Sequence, residues 1–269
     1  MSKKIKLYVA IPTTGTVVDS QSYLLREIEE TYKDKIEFVY PSGCVRRVFH
    51  DFARNKMAED FLASDCDIMW FLDSDITPPK FVLDLITVHG DKWKVGGLTY
   101  PVFMKPPGSD ILEVVYTAYK YNESTGNLGL CGVPKDGTDF LDGLATGCLF
   151  IHREVLEKLK RPYFEFKYRD EDREIREGED LGFCRKVHQL GYKFFTDFGL
   201  LCRHQKIIDL MDVNNYAIQY SNRNVLAYDS AVKEQTRAAI KAAYAQGIED
   251  GSKKRSKSGL VNASGTQWL

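Results

Sequence analysis

The chain has 269 residues, 43% of them apolar, with 37 Lys+Arg against 38 Asp+Glu and a formal charge of -1. That length can bury one substantial α/β core, or a core with a small appendage, so one catalytic domain is expected. The even charge balance announces neither a nucleic-acid nor a membrane partner. No apolar stretch approaches the ~18 residues of a bilayer span, so the expectation is a soluble protein. The six cysteines, at 44, 66, 131, 148, 184 and 202, form no C-x-x-C pair. Cys66 and Cys148 adjoin apolar runs, where a thiol behaves as a small hydrophobe, and a reducing cytoplasm is the simpler location.

Ile5 to Ile11 reads as a buried strand running into the turn Pro12-Thr13-Thr14-Gly15. Lys6 inside that run and Pro12 after it suit a first strand better than a signal peptide. Residues 20–32 have helical character, and Ile36 to Tyr40 is a short strand ended by Pro41. Between 45 and 64, Phe49, Ala53, Met57 and Phe61 recur every four positions, which predicts one buried helical face. Arg47, Asp51, Arg54 and Asn55 fall on a different face. The run Ile68-Met69-Trp70-Phe71-Leu72 is too short for most helices and predicts a strand covered on both sides, ending at Asp73. Pro78 and Pro79 suit the first turn of a helix carrying Val82, Leu85 and Ile86, and Lys94 to Tyr100 returns as a strand.

This alternation predicts βαβ units and an α/β fold with a largely parallel sheet. From 111 to 133 the pattern changes to a hairpin insertion around Asn122–Asn127, able to lie across the sheet's end. A strand ending near Ile151, a short helix to about Lys160 and a charged loop from Lys167 to Glu177 come next. Glu179 to Leu190 reads as a helix stopped by Gly191, with Lys193 to Phe198 as the next strand. The expected organisation is a catalytic domain over 1–209, a helical extension over 210–250 and a basic, disordered tail over 251–269.

Three constellations carry chemistry. Asp73-Ser74-Asp75 stands directly after a central strand, where open α/β sheets bind ligands, and paired carboxylates suit a phosphate-bound Mg2+. The bland alternative is a carboxylate capping the helix after Pro78. A second D-x-D, Asp65-Cys66-Asp67, lies at the wrong end of the same strand. Glu179-Asp180 opens a helix, either as dipole-matched acids or as a carboxylate placed to take a proton from an attacking hydroxyl. His204 is either a structural histidine or, with two aspartates, part of an Asp/His set for Mn2+ or Mg2+.

Taken together, the Pro-Thr turn after the first strand, Ala53-Arg54-Asn55, FLDSD, LATGCLFIHREVLEKL and GEDLGFCRKVHQLGYKFFTDFGLLCRH resemble the GT-A glycosyltransferases. The likeness covers residues 5–206 in motif order, is close from 142 to 204, and is strongest for the large, mostly inverting family. It implies a Rossmann-like GT-A fold and a hexosyl- or pentosyltransferase with a nucleotide-sugar donor, UDP-linked in the first instance. It implies that Asp73 and Asp75 engage the ribose and the metal, Mn2+ or Mg2+, with His204 completing that site. Asp180 would be the general base, with Glu179 beside it in the acceptor site. Pro12, Thr13, Thr14, Arg54, Asn55 and Ser74 would line the nucleotide side, and Thr146 and Gly147 the floor beneath the sugar.

Inversion is the expectation, and retention stays open because retaining enzymes share these motifs. The segment after Pro12 lacks the family's multi-acid pattern, which leaves the base unassigned, and the charged 161–177 segment is expected as a mobile lid. The acceptor is a soluble glycan, a small molecule, a protein or nucleic acid. The compact form also resembles virus-encoded enzymes, some of which glycosylate modified bases in DNA; Arg46-Arg47 and Lys253–Lys257 would then touch phosphates, in the host cytoplasm. Two rivals remain: a haloacid-dehalogenase-like phosphatase using Asp73 as nucleophile, since FLDSDIT fits D-x-D-x-T, and a nucleotidyltransferase of the same fold. A non-catalytic nucleotide-sugar binder ranks last.

Overall fold

The computed structural model describes residues 3–12, 19–41, 49–104, 113–133, 136–168 and 175–206. The chain begins with β1 (Ile5–Ala10), α1 (Asp19–Tyr32), β2 (Ile36–Val39), α2 (His50–Ala63) and β3 (Ile68–Leu72). Then come β4 (Ile76–Thr77), α3 (Asp84–Thr87), β5 (Val95–Gly97), β6 (Pro101–Met104) and β7 (Glu113–Tyr116). The insertion contributes β8 (Ala118–Asn122), β9 (Asn127–Leu130), β10 (Thr138–Leu141) and β11 (Gly143–Leu144). The last run is β12 (Cys148–His152), α4 (Arg153–Lys158), β13 (Lys167–Tyr168), β14 (Ile175–Glu177), α5 (Glu179–Gln189), β15 (Phe194–Asp197) and β16 (Arg203–His204).

The central sheet has the order β10-β15-β5-β12-β3-β1-β2. β1 is parallel to β2 and β3, and β15 is parallel to β5, whereas β12 is antiparallel to both β3 and β5. Hence β1, β2, β3, β5 and β15 share one direction, and β12 and β10 oppose it. The α/β class, the mainly parallel Rossmann-like sheet and the hairpin insertion predicted from the sequence are all present. The reversed β12 in the middle is new, because period and punctuation say nothing about strand direction.

That reversal positions the site. Each parallel strand hands the chain to the carboxyl edge at its last residue, and an antiparallel neighbour receives the chain there at its first. Cys148 is therefore opposite Leu72, and the Asp73 N–H donates to the Gly147 carbonyl at 2.9 Å. Gly97 lets the strands meet closely, since a Cβ there would lie 2.4 Å from the Cys148 carbonyl oxygen.

Strand alternation splits the core over the two faces of the sheet. Leu7, Val9, Trp70, Leu72 and Phe150 join Leu25 and Ile28 of α1 on one face. Tyr8, Ala10, Met69, Phe71 and Leu149 join Met57 and Phe61 of α2 and Phe183 of α5 on the other. Burying a side chain such as Phe61 contributes roughly 1.5–3 kcal/mol.

Local expectations fail where ends and faces were inferred from spacing. Phe49 precedes α2 and is 82% exposed, while Ala53, Met57 and Phe61 form the buried face. Arg54, placed on a polar face, is buried. Val82, Leu85 and Ile86 are buried, but α3 is one turn long. Gly191 does stop α5, at φ +80°.

Part of the expected 161–177 loop is anchored: Tyr163 and Phe164 are buried, and β13 pairs with β14. The chain divides into two compact units, Met1–Ile207 and Ile208–Leu269, the first being the fold described here. The expected extension over 210–250 and tail over 251–269 lie outside the described residues, as do Arg46-Arg47. No helix among the described residues is long and apolar enough to cross a membrane. Cys66, Cys131, Cys148, Cys184 and Cys202 are free thiols.

Candidate active site

The acidic turn is built from backbone upward. The Ile76 N–H donates to the Asp73 carbonyl at 3.0 Å, closing a turn after β3. Gln21, fully buried on α1, donates through Nε2 to the carbonyls of Asp73 (2.8 Å) and Ile76 (2.6 Å). From the other side β16 pairs with β4, His204 opposite Ile76, and the Gln205 N–H donates to the Asp75 carbonyl at 2.8 Å. The capping alternative for these aspartates falls, because α3 starts at Asp84 with Leu83 as its N-cap and no side-chain cap. The second D-x-D is structural: Asp67 accepts from the Lys6 N–H at 2.9 Å, and Asp65 pairs with the Lys6 ammonium.

Within the turn the two carboxylates part company. Both Asp73 oxygens accept from Arg54 Nη2 at 2.9 Å, and Arg54 Nε faces Glu179 Oε1 at 3.4 Å. The Arg54 side chain is 3% exposed and lies over the Phe71 ring. Burial opposes its charge, but Asp73 first and Glu179 next outweigh it and raise its pKa. Arg54 thus joins the acidic turn to the start of α5 rather than lining a nucleotide pocket. Asn55 is likewise turned inward: Nδ2 donates to the carbonyls of Asp51 and Phe164, and Oδ1 accepts from the N–H groups of Tyr163 and Phe164. It fixes the segment that leads to Glu179-Asp180.

Asp75 faces a different set. Its Oδ2 lies 3.4 Å from His204 Nε2 and accepts from the Lys206 ammonium. Burial works against its charge, yet the hydrogen bonds from His204 and Lys206 hold its carboxyl far below the usual range. His204 Nδ1 is 2.9 Å from the Pro101 carbonyl, which can only accept, so Nδ1 carries hydrogen and Nε2 points to Asp75. A carboxylate oxygen and an imidazole nitrogen converging in this way suit a divalent cation completed by substrate phosphates. Among the described residues no group of three His, Cys, Asp or Glu side chains is arranged to hold a metal. Of the expected set of Asp73, Asp75 and His204, the last two face each other at 3.4 Å, while Asp73 is turned to Arg54.

Asp180 sits in the first turn of α5, and its Oδ1 accepts from the Leu181 N–H at 2.8 Å. Burial, then the Glu179 charge, raise its pKa against the opposing pull of that N–H and of Arg54. Around it are two tyrosines that the sequence motifs do not include. Burial, then Asp73 and Asp180, push the Tyr100 phenol well above its ordinary range, and burial, then Asp180, raise that of Tyr119 on β8. Thr146 is buried, and a Cβ on Gly147 would lie 2.6 Å from the Tyr100 hydroxyl oxygen. Pro12 is buried and Ser74 half-buried, while Thr13 and Thr14 lie outside the described residues.

The residues outside the motifs differ in how visible they were. Tyr100 ends the strand predicted at Lys94 to Tyr100, a carboxyl end where site residues are expected. Gln21 carried no signal, since its role depends on where α1 meets the turn.

No family model matches the chain, and no curated protein does. Among solved structures, the crystal structure of A197 from STIV aligns at 24% identity with a TM-score of 0.49, over 76% of this chain and 86% of that one. GalNAc-T7, crystallised with UDP, GalNAc and Mn2+, aligns at 14% identity and 0.46, over 77% of this chain and 44% of that one. At these TM-scores neither likeness carries an assignment, so function has to come from the residues themselves.

Proposed function

We propose that this chain is a GT-A-type glycosyltransferase that moves a sugar from a nucleotide-sugar, UDP-linked in the first instance, to an acceptor hydroxyl with inversion. One observation carries the reading: Arg54 bridges Asp73 and Glu179, gathering the acidic turn after β3 and the acidic start of α5 into one site. The two ends are far apart in sequence, and a buried guanidinium set between two half-buried carboxylates is a costly way to join them for stability alone.

Asp180 is the general base in this reading. Its raised affinity for a proton suits it to receive one from an attacking hydroxyl, and Glu179, held by Arg54, adds the negative charge that tunes it. Asp75 and His204 would hold Mn2+ or Mg2+, whose chemistry is to neutralise charge on the departing diphosphate. Thr146 and Gly147 form the floor beneath the sugar, and Lys206 adds a positive charge at the diphosphate side. The acceptor classes are a glycan, a small molecule or a modified base in DNA.

The phosphatase reading needs a free Asp73 oxygen for attack, and Arg54 occupies both. Covalent trapping of Asp73 by a phosphate analogue would restore it. A nucleotidyltransferase would release pyrophosphate in place of a nucleoside diphosphate.

The test is a panel of nucleotide-sugars with Mn2+, read by thermal stabilisation and by nucleoside diphosphate release, with Asp180→Asn beside wild type. A donor at 100 times its Kd adds ~2.7 kcal/mol of stability. Asp180→Asn is expected to keep that stabilisation and lose ~10²–10⁴-fold in transfer. Normal turnover by the variant would remove Asp180 from the base role.

A further inference from the structure

We propose that the Tyr100 hydroxyl is the hydrogen-bond donor that orients the transferred sugar above Gly147. The inference rests on the glycosyl-transfer reading and adds a residue that the motifs did not supply.

Tyr100 is 7% exposed, and its ring meets the His204 ring edge-on at 5.1 Å. Its backbone N–H and carbonyl are paired with Thr117. Among the described residues no hydrogen bond reaches its hydroxyl. Burial fixes the ring, while the hydroxyl is not sealed from solvent and is left as a donor open to an oxygen-bearing ligand.

The position of the hydroxyl names the ligand. The 2.6 Å approach to the site of a Gly147 Cβ places it over the Cα of that glycine, whose carbonyl accepts from the Asp73 N–H. That bond sets the hydroxyl beside the start of the acidic turn, where the charges of Asp73, Asp180 and Arg54 all reach it. The His204 ring that meets the Tyr100 ring also faces the Asp75 carboxylate, through Nε2 at 3.4 Å. A point between the proposed base and the metal-facing histidine is where the transferred sugar has to lie.

A phenol is a neutral hydroxyl donor at physiological pH. A sugar ring or hydroxyl oxygen is the matching acceptor. Arg54 Nη1, buried without a hydrogen-bond partner among the described residues, is a second donor, and the charge of Arg54 reaches the same hydroxyl.

The test compares Tyr100→Phe with wild type. The wild-type protein is first screened with UDP-, GDP-, dTDP- and CMP-sugars in Mn2+; no stabilisation by any of them overturns the glycosyl-transfer reading and this inference with it. With a donor found, Kd is measured by calorimetry for that donor and for its bare nucleotide. The expected result is a Kd about tenfold weaker for the sugar nucleotide, about 1.4 kcal/mol, and unchanged for the bare nucleotide. Equal losses for both would place the hydroxyl on the phosphates, and no loss for either would leave it no ligand role; each overturns the inference.

Ligand-free stability separates this role from a structural one. Tyr100→Phe keeps the ring and removes a hydroxyl that bonds to no described residue, so its urea midpoint is expected to match that of wild type. A lowered midpoint would mean that the hydroxyl serves the fold, and would equally overturn the proposal. Gly147→Ala, which crowds the same oxygen, is expected to move the ratio of the two Kd values in the same direction.

Discussion

Asp73 and Asp75 lie two residues apart in one turn, yet they belong to different kinds of chemistry. Asp73 is held by a buried guanidinium that also reaches Glu179, so its charge is part of the framework. Asp75 faces an imidazole and an exposed ammonium at a half-exposed edge, so its partners can be exchanged for a ligand's charge. The lesson is that a D-x-D pattern does not make its two acids equivalent. The side chain that arrives from elsewhere decides which one is structural and which one can serve a ligand.

The contrast can be broken at its ends. Arg54→Met should produce the largest effect, lowering the unfolding free energy by about 3–5 kcal/mol in urea titration, because it leaves Asp73 and Glu179 without their buried counter-charge. Arg54→Lys should recover only part of that, since a single ammonium cannot span both carboxylates as the planar fork does. Gln21→Met keeps the shape but withdraws two hydrogen bonds from the turn, and should cost about 1–2 kcal/mol in the same assay.

Asp75→Asn should cost less than about 1 kcal/mol, its partners being solvent-screened, while abolishing the Mn2+-dependent part of nucleotide binding in calorimetry. A loss of stability as large as that of Arg54→Met would erase the distinction. The smallest effect is on pH dependence. The folded-state pKa of Asp75 lies below its unfolded value, so its contribution is complete above about pH 4 and declines as the pH falls further. The stability gap between wild type and Asp75→Asn should therefore narrow below about pH 4.

How much of this was legible depends on the kind of information each residue carries. β1, β3 and α5 were readable because their apolar runs and stop signals are local: Pro12, Asp73 and Gly191 sit at or next to the predicted ends. The acidic turn and the Glu179-Asp180 start could be singled out for the same reason. Arg54 and Asn55 were singled out, but their partners, Asp73 and Glu179 for one and the Tyr163–Phe164 backbone for the other, were not, since helical spacing gives a face and not its packing partner. Gln21, Tyr119 and the direction of β12 depend on tertiary approach alone, and nothing in the order of residues encodes them in readable form.

The reversed strand β12 also bears on how such a site can change. The described part of the insertion, β8 to β11, leads to the carboxyl edge at the front of a strand whose own register is locked between β3 and β5. Residues can be added to or removed from the β8–β9 hairpin without shifting that lock, because loop lengthening is inexpensive when the ends stay fixed. On the glycosyl-transfer reading, a change of acceptor could come through the hairpin and its Tyr119 side while Asp73, Gly147 and Asp180 keep their places.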